Sequence, residues 1–136
     1  MQLTDEVKNK IIKEISDFED KQYGSLSAAE RKKLGAFYTP GTLVVKMIEK
    51  FDDIEGTICD PCCGSANLLV GCIIAGADPK KIYGIELDEG QAELCRKRLK
   101  KYGVPRGNII CGSALDEETW NKLNKKVESN ERKTTK

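Results

Sequence analysis

The sequence predicts a single α/β domain in which three short parallel strands, in the order 3-2-1, carry flanking helices and an N-terminal helical element. Three observations predict it. Short apolar runs alternate with helix-length periodic segments after residue 56. The first run ends in Asp60-Pro61 and turns through Gly64 into an apolar helix. An acid, Glu86, ends the second run some 20 residues beyond that glycine.

The elements follow in order. Val7, Ile11, Ile12, Ile15 and Phe18 recur at helical spacing behind Thr4, an N-cap residue, with Asp5 and Glu6 in the first turn. Residues 1–34 are therefore read as an amphipathic helix and linker, with a break near Gly24 and Ser25. Thr39 offers a capping oxygen and Pro40 suits a first helical position, which predicts a second helix burying Leu43, Val44, Met47, Ile48 and Phe51. Thr57-Ile58-Cys59 is a strand ending at Asp60, and the Gly64-Ser65-Ala66 turn opens a helix from about Asn67 to Ala75, stopped by Gly76 and Asp78-Pro79. Lys81 to Glu86 is the second strand. Asp88 caps a helix carrying Ala92, Cys95, Leu99 and Tyr102, which Gly103 and Pro105 end, and Asn108 to Cys111 is the third strand. Asp116, Glu117 and Glu118 start a last helix with a thin stripe of Trp120, Leu123 and Val127. Beyond Val127 the sequence turns polar and is expected to fray. Residues 35–120 are thus the ligand-binding domain, and 121–136 a polar, lysine-rich tail whose lysines suit either solvent or phosphate.

Composition narrows the chemistry. At 136 residues there is room for one modest core. Twenty-three basic against 22 acidic side chains give a net charge of +1, so no overall field steers the chain to nucleic acid. No run approaches the roughly 20 apolar residues of a membrane span, and Thr4, Asp5 and Glu6 are unlike a basic, apolar leader. A cytoplasmic protein with no membrane partner is expected. The lack of histidine removes Ser/His and Cys/His catalysis and the commonest zinc ligand. The six cysteines mostly lie in apolar runs and read as small buried hydrophobes. Cys59-Asp-Pro-Cys62 has C-x-x-C spacing but no second pair to complete a metal site, so no metal is assigned, and a redox or zinc module stays open as an alternative.

A strand that turns through glycine into a helix leaves backbone amides and the helix N-terminus facing a crevice. Asp60 to Asn67 occupy that corner, and Glu86 ends the next strand where an acid can accept from ribose hydroxyls. Together these residues point to a nucleoside.

The same residues carry a resemblance. Gly35-Ala36-Phe37-Tyr38-Thr39-Pro40 resembles the Gly-x-Phe-Tyr-Thr-Pro signature ahead of the cofactor domain in adenine-N6 DNA methyltransferases, including type I modification subunits. Asp60-Pro61-Cys62-Cys63-Gly64-Ser65-Ala66-Asn67 resembles that family's first cofactor motif, Tyr83 to Asp88 the second, and Ile110 to Leu115 the third, all in the family's order over positions 35–115. The resemblance implies a partial Rossmann-like fold that binds S-adenosylmethionine. Phe37, Tyr38, Thr39 and Pro40 would line the methionine end. Asp60, Pro61, Cys63, Gly64, Ser65 and Asn67 would hold its amino and carboxylate groups. Glu86 would hold the ribose, Leu87 would pack on adenine, and Ser113 with Ala114 would meet the adenine edge. Two positions depart from the family pattern: Ala66 replaces a glycine, which is expected to crowd the backbone, and Ser113 replaces an aspartate.

The family's Asn/Asp/Ser-Pro-Pro-aromatic catalytic motif is absent, since prolines stand only at 40, 61, 79 and 105. No catalytic residue is therefore assigned, and the fourth strand and target-recognition region are expected outside these residues. DNA is expected as a partner through another subunit, with a complementing methyltransferase chain or a second copy as candidate partners. The alternative is a non-enzymatic interaction or regulatory protein retaining the fold. The first strand's outer edge is expected to be covered by the N-terminal helix, the tail or a second subunit.

Overall fold

The computed structural model describes residues 1–33 and 39–134. Helices α1 (Asp5–Tyr23), α2 (Ala28–Lys33) and α3 (Gly41–Glu49) precede β1 (Ile58–Asp60), α4 (Asn67–Ile74), β2 (Ile82–Glu86), α5 (Glu89–Lys100), β3 (Ile109–Cys111) and α6 (Glu117–Thr134). The strands are parallel with β2 in the middle, Ile58 beside Ile82 and Gly84 beside Ile109. This is the order the sequence predicts. No described helix is long and apolar enough to cross a membrane.

Period-two alternation sorts each strand onto two faces. Ile58, Ile82 and Ile109 join Ile11 and Ile15 of α1, Val44 and Ile48 of α3, Leu69 and Val70 of α4, and Cys95 and Leu99 of α5 in the main core. Cys59, Tyr83, Ile85 and Ile110 face the other way, onto Trp120, Leu123 and Val127 of α6. Helices on both faces bury apolar stripes that would otherwise meet water.

Thr4 Oγ1 accepts from the Val7 amide at 3.2 Å and Asp88 Oδ2 from the Gln91 amide at 2.8 Å, so both predicted caps form. At α3 the prediction shifts by one residue: Pro40 holds the N-cap position, no side chain caps the helix, and Thr39 gives its carbonyl to Asn67 instead. Where a linker was expected, α2 forms behind a reciprocal capping box. The Glu30 amide donates to Ser27 Oγ at 3.1 Å and the Ser27 amide to Glu30 Oε1 at 3.3 Å. Nor does the chain fray after Val127. Helix α6 runs on to Thr134, anchored by Asn130 Nδ2, which donates to Tyr83 Oη at 2.8 Å and Asn108 Oδ1 at 3.1 Å.

Among the described residues strand β1 pairs only with β2, and no hydrogen bond from another element reaches its outer edge. Among the described residues α1 packs in the main core and α6 on the opposite face of the sheet.

The middle strand must be bare at Gly84 for the turn after β1 to lie on it. A Cβ there would stand 2.9 Å from Cys63 Sγ and 3.1 Å from Ile109 Cδ1. Gly84→Ala is expected to lower stability by about 1–2 kcal/mol through overpacking, read as a lower urea midpoint at unchanged slope. Wild-type stability would show that Cys63 yields without cost.

Candidate functional site

The parallel sheet delivers the loops after β1, β2 and β3 to one end, where ligands of such sheets collect. Backbone amides build the first loop: that of Cys63 donates to Ile85 O at 3.0 Å, that of Ala66 to Cys63 O at 2.7 Å, and that of Cys62 to the Asp60 side chain, Oδ1, at 3.0 Å. Gly64 and Ala66 take left-handed backbone, with φ of +51° and +77°. For an L-residue that conformation costs roughly 1–2 kcal/mol, which is the physical reason a glycine suits position 66. The Ala66 methyl is buried in the main core. Its departure from glycine therefore costs backbone strain, while its methyl packs in the core.

Glu86 joins the loops. Its Oε1 accepts from the Gly64 amide at 3.0 Å and its Oε2 from the Asp88 amide at 2.8 Å, while its own carbonyl accepts from the Gly112 amide at 2.9 Å. A carboxylate offers about four acceptor sites, so both oxygens retain capacity for a ligand hydroxyl. On the neighbouring strand, burial pushes the half-buried Asp60 carboxyl above its ordinary 3.8, and the nearby Glu86 charge adds to the shift against the Cys62 amide. Two carboxylates make this mouth attractive to a cation. At the α4 N-terminus, the amides of Ser65, Asn67 and Leu68 have no acceptor among the described residues, so the same mouth also attracts an anion.

The rim is apolar and open. Leu87 is 71% exposed, and Leu115, which the sequence did not single out, is 95% exposed. Ser113 Oγ accepts from the Leu115 amide at 3.1 Å and Ala114 O from Trp120 Nε1 at 2.7 Å, holding the loop after β3 against α6, while the Gly112 amide on Glu86 O at 2.9 Å and Cys111 Sγ 3.7 Å from Leu87 O set it beside the loop after β2.

The pattern of the family described as N-6 DNA Methylase matches residues 17–131. The chain belongs to that family. It is 41% identical over 88 residues to the type II methyltransferase M.VspI of Vibrio sp. (strain 343), covering 62% of this chain and 22% of that protein. It is 30% identical over 93 residues to the modification methylase CviBIII of Paramecium bursaria Chlorella virus NC1A, covering 65% and 23%. It is 35% identical over 83 residues to the type II methyltransferase M.CvrRI of Paramecium bursaria Chlorella virus XZ-6E, covering 58% and 22%. The matched stretch thus spans between a fifth and a quarter of these relatives. No solved structure matches the chain.

Not every predicted residue of this chain faces the mouth. Cys63 is buried with its Sγ 3.7 Å from Cys95 Sγ, and that contact together with burial pushes its thiol far above the ordinary range. Its backbone shapes the turn while its side chain fills the core. Asn67 is buried too: Nδ2 donates to Thr39 O at 2.9 Å and Glu19 Oε1 at 3.2 Å, and Oδ1 accepts from Arg98 Nη1 at 2.7 Å. Ser65 is buried and gives its carbonyl to the same nitrogen at 2.8 Å. Pro61 stands exposed on the turn. Thr39 and Pro40 are drawn to this turn by the Asn67 bond, while Phe37 and Tyr38 lie outside the described residues. Cys59 packs under α6 and Cys62 is exposed, and among the described residues no three Cys, Asp or Glu side chains group to hold a metal. Arg98 escaped sequence reasoning because a cation in an amphipathic helix reads as solvated. The available signal was its position three residues after Cys95 and four before Tyr102, inside the apolar stripe.

Proposed function

We propose that this N-6 DNA methylase chain binds S-adenosylmethionine in a Rossmann-like crevice at the carboxyl ends of β1, β2 and β3, and does not methylate DNA by itself. The observation that carries the reading is the Glu86–Gly64 bond, which joins two motif segments in one mouth. Each part of the ligand has a fitting partner. Asp60 suits the cationic amino group, and the unpaired amides at the start of α4 suit the carboxylate. Glu86 suits the ribose diol, and Leu87 offers the adenine an apolar plate, with Ser113 and Ala114 at its edge. Thr39 and Pro40 stand at the methionine end, to which the family resemblance also assigns Phe37 and Tyr38. When bound, the cofactor supplies an electrophilic methyl group.

The family implies adenine in DNA as the acceptor. A flipped base needs acceptors for its amino group and a stacking aromatic, and the Pro-Pro-aromatic segment that would supply them is not in these residues. DNA is therefore engaged together with another segment, a partner chain or a second copy. A non-enzymatic interaction protein is the second reading, favoured by the fact that both Glu86 oxygens already have partners without a ligand.

Labelled cofactor with unmethylated DNA tests the catalytic half. The purified chain is expected to leave DNA unlabelled, and a chain supplying the Pro-Pro-aromatic segment is expected to restore transfer. DNA labelled by the chain alone would overturn the non-catalytic reading.

A further inference from the structure

Arg98 lies in none of the motif segments and is only 5% exposed. Its Nη1 donates to Ser65 O at 2.8 Å and to Asn67 Oδ1 at 2.7 Å, and its guanidinium lies 3.7 Å from the centroid of the Phe18 ring. Its Nη2 is buried without a partner among the described residues. Among the described residues no ion pair joins it to a carboxylate: Glu14 accepts from Tyr102 Oη at 2.9 Å and Glu19 from Asn67 Nδ2 at 3.2 Å, both acting on the guanidinium only through space. Burying a cation without a direct counter-ion is unfavourable, and an apolar side chain of similar length would fill the space without that penalty.

What the guanidinium provides is geometry. Holding the Ser65 carbonyl inward orients the Ser65–Ala66 peptide, just ahead of the residue at φ +77°. Donating to Asn67 Oδ1 fixes which end of that amide is oxygen, leaving Nδ2 for the Thr39 carbonyl. One side chain on α5 thereby sets both the turn after β1 and the entry to α3. We infer that Arg98 is a positioning residue for the crevice, fixing the Ser65–Asn67 turn from behind and tying it to Thr39. The inference rests on the S-adenosylmethionine reading and names what holds its turn in shape.

The test is calorimetric titration of the intact chain with S-adenosylmethionine and, separately, with adenosine, for wild type, Arg98→Met and Arg98→Lys, with folding checked by circular dichroism. Arg98→Met is expected to weaken S-adenosylmethionine about tenfold while adenosine changes less than about twofold, because the nucleoside half relies on Glu86 and Leu87. Arg98→Lys keeps a donor and is expected to recover part of the loss. If Arg98→Met does not fold, Asn67→Ala carries the same expectation, since it cuts the Thr39 tie and leaves the cation bonded to Ser65. Equal losses for both ligands, or unchanged S-adenosylmethionine affinity in a folded variant, would overturn the inference. A wild-type chain that binds neither ligand would overturn the cofactor reading instead.

Discussion

Glu86→Ala is expected to weaken S-adenosylmethionine binding by about 10- to 100-fold, the scale of one or two charge-assisted hydrogen bonds. The loss has two sources that a second variant separates. On the proposed reading Glu86 offers acceptors to the ribose, and it also anchors the Gly64 and Asp88 amides at 3.0 and 2.8 Å. Alanine removes both functions, so stability is expected to fall as well, by about 1–2 kcal/mol for two backbone donors left without an acceptor. Glutamine keeps one oxygen but turns an amino group toward the other amide. Glu86→Gln is therefore expected to lie between wild type and alanine in both urea denaturation and calorimetry. Equal affinity for wild type and Glu86→Ala would remove Glu86 from the site.

Asp60→Asn is expected to act with opposite signs on binding and on stability. Asparagine can still accept from the Cys62 amide but offers a cationic ligand no charge, so affinity should drop by about tenfold or more. The ligand-free protein should become more stable by about 0.5–1 kcal/mol, the scale of removing one unfavourable charge. The sign follows from the direction of the shift. Burial, with the Glu86 charge adding to it, raises the folded-state Asp60 value above its ordinary 3.8, so the ionised form is disfavoured by folding. Its penalty is absent below pH 3.8 and fully present once the pH has risen through the raised value. The stability difference between Asp60→Asn and wild type should accordingly grow from near zero at low pH to its full size at neutral pH. Thermal denaturation across that range reads it directly, and a pH-independent difference would show that the Asp60 charge is not strained. A ligand cation beside Asp60 would relieve the same penalty, so binding at mildly acidic pH is expected to release a proton.

Much of this architecture was legible in the residues. Short apolar runs alternating with helical segments placed the strands at Ile58-Cys59 and Ile82 to Ile85, and Asp88 announced its helix because a carboxylate four residues ahead of Ala92 can serve as a cap. What stayed hidden was held by polar contacts between distant segments. The end of α6 has no apolar stripe, and its anchor is the Asn130 amide on Tyr83 and Asn108, a contact that hydrophobic periodicity does not register. The Thr39 carbonyl serves Asn67 across the fold, which displaced the helix start by one residue from its local signal. Of the candidate residues named from the sequence, Gly64 and Glu86 meet and Asp60 stands near them, but the sequence could not show that Cys63 and Asn67 turn inward. Which face of a tight turn meets the core is decided by Gly84 and Arg98, on elements that only folding brings near.

Calorimetric titration of the wild-type chain with S-adenosylmethionine probes the mouth formed by Asp60, Gly64 and Glu86 most directly. Saturable one-to-one binding, lost or strongly weakened in both Asp60→Asn and Glu86→Ala, is the expected result. A folded wild-type chain that takes up no S-adenosylmethionine at millimolar concentration would contradict a cofactor site there.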